Sequence, residues 1–292
     1  MAQEAKEKTS SRKSTESAGK IRTVVKRMYQ QAQQAKEEKR EVAYCMVMCN
    51  YEEILAAMDI VQVYTENYAG LCAVKRQAEP YMDKARAEGY SDLLCGYAQV
   101  GIGFDALRHE LGEMPPDAPD GGMPEPDMLL GCSMGCDPRW KWYQALGRYK
   151  DTPIYNMDVL MPPSDADMRE IREHSVRYMA DELRGLIVFL EEQTGRKMDY
   201  DRLKEVVEES NRCVEYWLEA VELMKSKPAP RTGPLSQGTI AGMMGFGTPE
   251  GTAAMKALLD ETNIVFSDVT KPLIMEDLEV LACALSVCRE CD

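Results

Sequence analysis

At 292 residues and 45% hydrophobic content, the chain can build one large core or two ordinary ones, which excludes wholesale disorder. Its 35 basic against 49 acidic side chains give a formal charge of -14, which repels phosphate backbones and excludes nucleic acid as a partner. No run approaches the roughly 18 apolar residues of a membrane span, and the first residues lack the apolar core of a signal peptide, so no membrane is expected and the expected location is cytoplasmic.

Residues 1–40 are rich in Lys, Glu, Gln, Ser and Ala and read as a charged tail followed by an exposed helix. Composition changes at Glu41. Val42–Met48 is a continuous apolar run of the kind a strand buried on both faces requires, Asn50–Met58 reads as a helix, and Ile60–Tyr64 as the next strand. Strand, helix and strand together make a βαβ unit. A helix is predicted from Ala73 to about Glu88, ended by Gly89, then a strand at Leu93–Tyr97 and a helix over Val100–Leu111, ended by Gly112. The segment 113–126 is a loop, crowded with Pro and Gly. Asp127–Cys132 reads as a strand, Pro138–Tyr149 as a helix, and Thr152–Val159 as a strand. Residues 41–163 are therefore α/β with a mainly parallel sheet.

From Ser164 the pattern turns helical. Two long helices, stopped by Gly195 and by Pro228 and Pro230, make up a segment 164–230 and are expected to pair antiparallel against the sheet. Residues 231–292 are first rich in Gly and Met, then helical. The Gly242–Gly247 run lacks the Lys-Ser/Thr of a Walker loop, so no ATP binding is assigned to it.

Ten cysteines in a chain of this kind read as reduced thiols, metal ligands or redox groups, and twenty methionines suit an anaerobic setting. Cys95 and Cys136 both fall where a predicted strand gives way to a helix. Ligands bind outside the carboxyl ends of the strands of an open α/β sheet, where helix N-termini favour anionic groups. Metal ligation and structural burial both remain open for this pair. The other cysteines read as packing, with no C-x2-C-x2-C run to suggest a ferredoxin-type site. His109 and His174, the only histidines, read as surface or capping residues. Asp137 reads as a cap or a support for a ligand, and Trp140 and Trp142 as core or as stacking surfaces.

Asp92-Leu-Leu-Cys95-Gly-Tyr-Ala-Gln-Val-Gly101, then Gly131-Cys-Ser-Met-Gly-Cys136-Asp-Pro-Arg-Trp-Lys-Trp-Tyr143, then Thr152-Pro-Ile-Tyr-Asn-Met-Asp158 stand in an order that resembles the benzoyl-CoA reductase/2-hydroxyacyl-CoA dehydratase family. The resemblance covers about residues 41–260. It implies a Rossmann-like domain at 41–163 and a subunit that holds one 4Fe-4S cluster through three cysteines, two of them Cys95 and Cys136. It further implies an acyl-CoA thioester substrate, a homologous second subunit as partner, and a separate ATP-dependent activator as electron donor. The Cys-Gly-Tyr and Arg-Trp-Lys-Trp-Tyr runs look closer to the reductase side than to the dehydratase side. The stretch from Val269 to Asp292 does not read like the second Rossmann-like domain of the family. Either Cys283, Cys288 or Cys291 replaces the third ligand, or the chain is a truncated or divergent member with an incomplete C-terminal part. A scaffold that keeps the fold without a cluster is the rival reading.

Overall fold

The chain is described by a computed structural model over residues 15–160, 165–227, 229–231 and 240–269. Four parallel strands form its sheet. β1 (Val42–Cys45) and β3 (Met128–Cys132) lie inside, β2 (Val61–Tyr64) and β4 (Ile154–Met157) at the edges, in the order β2-β1-β3-β4. Val42 stands opposite Val61, Cys45 opposite Leu130, and Cys132 opposite Met157. Every residue of β1 and β3 is buried, which accounts for apolar runs without alternation.

The helices are α1 (Glu16–Ala35), α2 (Glu52–Ala57), α3 (Thr65–Val74), α4 (Glu79–Ala87), α5 (Gly96–Leu111), α6 (Asp137–Leu146), α7 (Met168–Thr194), α8 (Tyr200–Leu223), α9 (Ile240–Met243) and α10 (Pro249–Val269). α5 approaches β3 through the loop at 113–126, and α6 leaves β3, so both run opposite to the strands and begin over the carboxyl edge of the sheet.

Four expectations are corrected. The strand expected at Leu93–Tyr97 does not form: Ser91 accepts from Leu94 N at 3.1 Å through its carbonyl and from Leu93 N at 3.1 Å through Oγ, a turn that leaves Leu93 92% exposed and starts α5 at Gly96. The helix expected from Ala73 splits into α3 and α4, because Arg76 turns into the left-handed region (φ 58°) and Pro80 opens a fresh first turn. α1 is not an exposed helix. Its stripe of Ile21, Val24, Tyr29, Ala32 and Ala35 is buried against α10 and β2, and Tyr29 meets Tyr68 edge-on at 6.0 Å. The tail at 1–14 lies outside the described residues. Finally, α8 does not pair with α7: its Val206, Cys213 and Ala220 face turns to α2 and α10, while α7 packs on β4.

The Gly- and Met-rich run serves this packing. A Cβ on Gly251 would fall 2.0 Å from the carbonyl oxygen of Gly245, and one on Gly242 2.5 Å from Met255, so these glycines let α9 and α10 approach closely.

Candidate active site

A cavity of about 1950 Å³ opens over the carboxyl ends of the strands. Its walls come from the loop after β1 (Val47, Met48), the first turn of α3 (Glu66), the start of α5 (Cys95) and the loop after β3 (Met134, Gly135). α1 forms the roof, with Ile21, Val25 and Tyr29 facing in. This is the place where open α/β sheets take ligands, because helix N-termini and loop backbones converge there with unused N–H groups.

Cys95 is the N-cap of α5 and Cys136 the N-cap of α6. Each backbone carbonyl is already engaged, Cys95 O by Gln99 N at 3.0 Å and Cys136 O by Arg139 N at 3.2 Å, whereas neither thiol makes a capping bond and both side chains are exposed. Gln99 fixes the approach to Cys95 by donating through Nε2 to the carbonyls of Asp92 at 3.2 Å and Leu94 at 2.5 Å. Gly135, at φ 95°, makes the left-handed turn that presents Cys136. The two helices lie side by side in the same direction. Gly101 in α5 abuts the Trp142 ring in α6 so closely that a Cβ there would sit 1.8 Å from Cζ2. Each of these residues is the sixth of its helix, so the contact puts both N-caps at the same edge.

Among the described residues, no group of three or more His, Cys, Asp or Glu comes together in a way that would hold a metal ion. Two exposed thiols at neighbouring helix starts suit the chemistry of an iron-sulfur site, since thiolates bind it and such helix ends favour anions. No third such side chain accompanies these two among the described residues. Cys283, Cys288 and Cys291 lie outside them.

Arg139 organises the floor. It is buried, and its guanidinium donates to the carbonyl of Val47, to the carbonyl of Met134 at 3.1 Å and to Cys49 Sγ at 3.2 Å, and it pairs with Glu66 at 3.2 Å. Glu66 in turn accepts from Val47 N at 2.9 Å. One side chain thus ties together the loops after β1 and β3 and the helix after β2. Beside it, Ser133 Oγ donates to Asp158 at 2.6 Å and Tyr178 OH to the other oxygen at 2.7 Å; these hydrogen bonds hold the Asp158 carboxyl below the usual aspartate range.

Sequence reasoning missed Glu66, which an acidic residue in the first turn after a parallel strand would have flagged, and it quoted Arg139 without a role. Trp142 is a core residue, buried against Gly101, and Trp140 is half-buried. Asp137 is the first residue of α6 and pairs with Lys141 at 3.0 Å in solvent. His109 packs 5.9 Å from Tyr149, and His174 is exposed.

A four-stranded parallel sheet with two free thiols over its carboxyl edge and an apolar-roofed cavity defines a thiol-bearing, doubly wound α/β protein. The profile of the family described as "2-hydroxyglutaryl-CoA dehydratase, D-component" matches residues 48–275, and the chain belongs to that family. It is 29% identical over 79% of its length to the (R)-phenyllactyl-CoA dehydratase alpha subunit of Clostridium sporogenes, covering 54% of that protein. It is 29% identical over 82% of its length to the (R)-2-hydroxyisocaproyl-CoA dehydratase alpha subunit of Clostridioides difficile, covering 56%. A benzoyl-CoA reductase subunit of Thauera aromatica is 26% identical over 67% of the chain, with 43% of that protein covered. The chain spans about half the length of the curated relatives it matches.

Proposed function

We propose that the chain is the iron-sulfur subunit of an anaerobic, cytoplasmic enzyme that acts on acyl-CoA thioesters. Cys95 and Cys136 would be two thiolate ligands of a 4Fe-4S cluster, which when bound supplies low-potential electrons and a Lewis-acidic iron. The observation that carries this reading is the pair of exposed, uncapped thiols at the starts of two helices locked together by the Gly101–Trp142 contact.

The chain's own residues do the rest. The apolar roof of α1 excludes water from the thioester end of a substrate. Arg139 and Glu66 give the wall a fixed cation and anion against which a polar group of the substrate can be oriented. A homologous second subunit and a separate ATP-dependent activator are the partners that the relatives' subunit names and the family resemblance support.

Elimination of water from a 2-hydroxyacyl-CoA is the first reading of the reaction, because the family profile is that of a dehydratase component and three of the dehydratase alpha subunits are 29–30% identical, against 26% for the reductase subunit and 24% for the 2-hydroxyglutaryl-CoA dehydratase alpha subunit. Reduction of an aromatic thioester is the second, carried by the Arg139-Trp-Lys-Trp-Tyr143 run. Iron and acid-labile sulfide analysis of protein purified without oxygen tests the cluster. The expected result is both elements in equal amounts, with loss in the Cys95→Ser and Cys136→Ser variants. Protein that holds neither iron nor sulfide overturns the reading and leaves a scaffold.

A further inference from the structure

The cavity wall beside the start of α5 holds a glycine that the protein's own packing does not require. Gly70 is the sixth residue of α3, inside the helix, where glycine is destabilising relative to alanine because it loses more backbone freedom on folding. Two glycines of α5 show what usually justifies that cost. A Cβ on Gly101 would fall 1.8 Å from the Trp142 ring, and one on Gly103 1.8 Å from the Tyr81 carbonyl oxygen. A Cβ on Gly70 would meet only Tyr97 Cε1, at 3.7 Å, an ordinary van der Waals contact, and the Gly70 backbone is not in the left-handed region. Among the described residues, neither conformation nor packing asks for glycine there.

What Gly70 does border is the cavity. Ala69, Gly70 and Ala73 give α3 a low face toward it, and Tyr97, two residues beyond Cys95, lines it beside them and is 53% exposed. A single exposed ring is ordinary on a protein surface, but this one adjoins a stretch of helix that carries no side chain. Together they make a notch, with the Gly70 backbone as its floor and the Tyr97 ring as its side. α1 closes the top, tied to α3 by Tyr29 OH, which donates to Asn67 Oδ1 at 2.7 Å. Glu66, the partner of Arg139, lies one turn before Gly70 on the same helix face, so the notch is apolar and its neighbourhood is not.

We propose that this notch takes the apolar end of the substrate's acyl group and that Gly70 sets its size, so that branched or aryl acyl groups are favoured over short straight ones. The inference rests on the acyl-CoA reading above and deepens it. With the tail on Gly70 and against the Tyr97 ring, the thioester end is left toward Cys95 at the start of α5 and toward Glu66 and Arg139. A branched or aryl end buries apolar area in the notch and leaves no polar group unsatisfied, whereas a short straight chain leaves the notch hydrated. Each methylene-sized step in such a pocket discriminates by about ten-fold or more. A side chain larger than alanine at position 70 would occupy the notch itself, since its first carbon already touches Tyr97.

The test is isothermal titration calorimetry of the full chain, purified without oxygen with any partner that co-purifies, against phenylacetyl-CoA, isovaleryl-CoA, propionyl-CoA and free CoA. None of these carries the hydroxyl that elimination needs, so binding is read without turnover. The wild type should bind the phenylacetyl and isovaleryl thioesters about ten-fold or more tightly than propionyl-CoA. Gly70→Leu should erase that preference while propionyl-CoA and free CoA bind as before. Gly70→Ala, at a position with room for a Cβ, should melt no lower than the wild type and still weaken the bulky thioesters several-fold, which separates loss of the notch from loss of the fold. Equal affinity of the wild type for all three thioesters overturns the proposal, as does an unchanged preference in Gly70→Leu or an equal loss of every ligand in Gly70→Ala. Protein that binds neither the thioesters nor free CoA overturns the acyl-CoA reading and this inference with it, whereas binding without discrimination overturns the inference alone.

Discussion

The two ends of the sheet each bury an arginine, and they use it differently. At the amino end Arg108 pairs with Asp105 at 2.7 Å and Glu125 at 2.9 Å, and bonds the Met123 carbonyl and Tyr44 OH. Lys150 joins the same carboxylates at 2.9 and 2.7 Å. Two cations meet two anions, and the set is closed on itself. Burial pushes the Asp105 carboxyl up, while Lys150 and Arg108 pull it back toward the charged form. At the carboxyl end Arg139 meets one carboxylate, two carbonyls and a thiol, and lines an open cavity. A closed network holds a fold together. An arginine among weaker acceptors at a cavity wall can position what enters.

This contrast is sharpest for Asp105→Ala. With its central anion gone, the network keeps two buried cations against Glu125 alone, and unfolding free energy should fall by about 3–5 kcal/mol in urea titrations. Iron content of the surviving folded protein should not change; a selective loss of iron would break the division between the two ends. Arg139→Met should cost less stability, about 1.5–3 kcal/mol, since carbonyls lose a charged donor, but iron should be lost from protein that still folds by circular dichroism. Retained iron there would reduce Arg139 to a structural tie.

Gly101→Ala tests the register of α5 and α6. The added methyl must push the Trp142 ring away, at about 1–3 kcal/mol, and should lower iron retention by spreading the two N-caps. The smallest effect concerns acid. Because the folded-state pKa of Asp158 is lowered, first by Ser133 and then by Tyr178, its stabilising contribution is fully present above the ordinary aspartate value of about 4 and is lost as pH falls through the lower folded value. Asp158→Asn should flatten that acid limb in thermal melts, with a small loss of stability at neutral pH and little change at the acid end, where Asp158 is already protonated.

Much of the frame was legible because it rests on local signals. Val42–Cys45 and Met128–Cys132 are long enough and apolar enough to be nothing but doubly covered strands, and Gly112 and Gly195, at φ 70° and 69°, end helices where a glycine was expected to. The misreadings share a cause. Leu93-Leu-Cys95 is apolar, but no neighbouring strand offers it a ladder, so the Ser91 turn wins. α1 looked solvated because its buried face is narrow and partly alanine, and only the presence of α10 makes that stripe worth covering.

By itself, then, the order of residues determined the βαβ alternation, the parallel sheet and the helix start that carries Cys136, since strand burial, glycine caps and Pro138 act over a few residues. Only the tertiary structure decided which groups share the carboxyl edge. Gly101 against Trp142 and Arg139 against Glu66 join residues 41 and 73 positions apart, and contacts at such separation depend on how layers stack. No local propensity encodes that stacking.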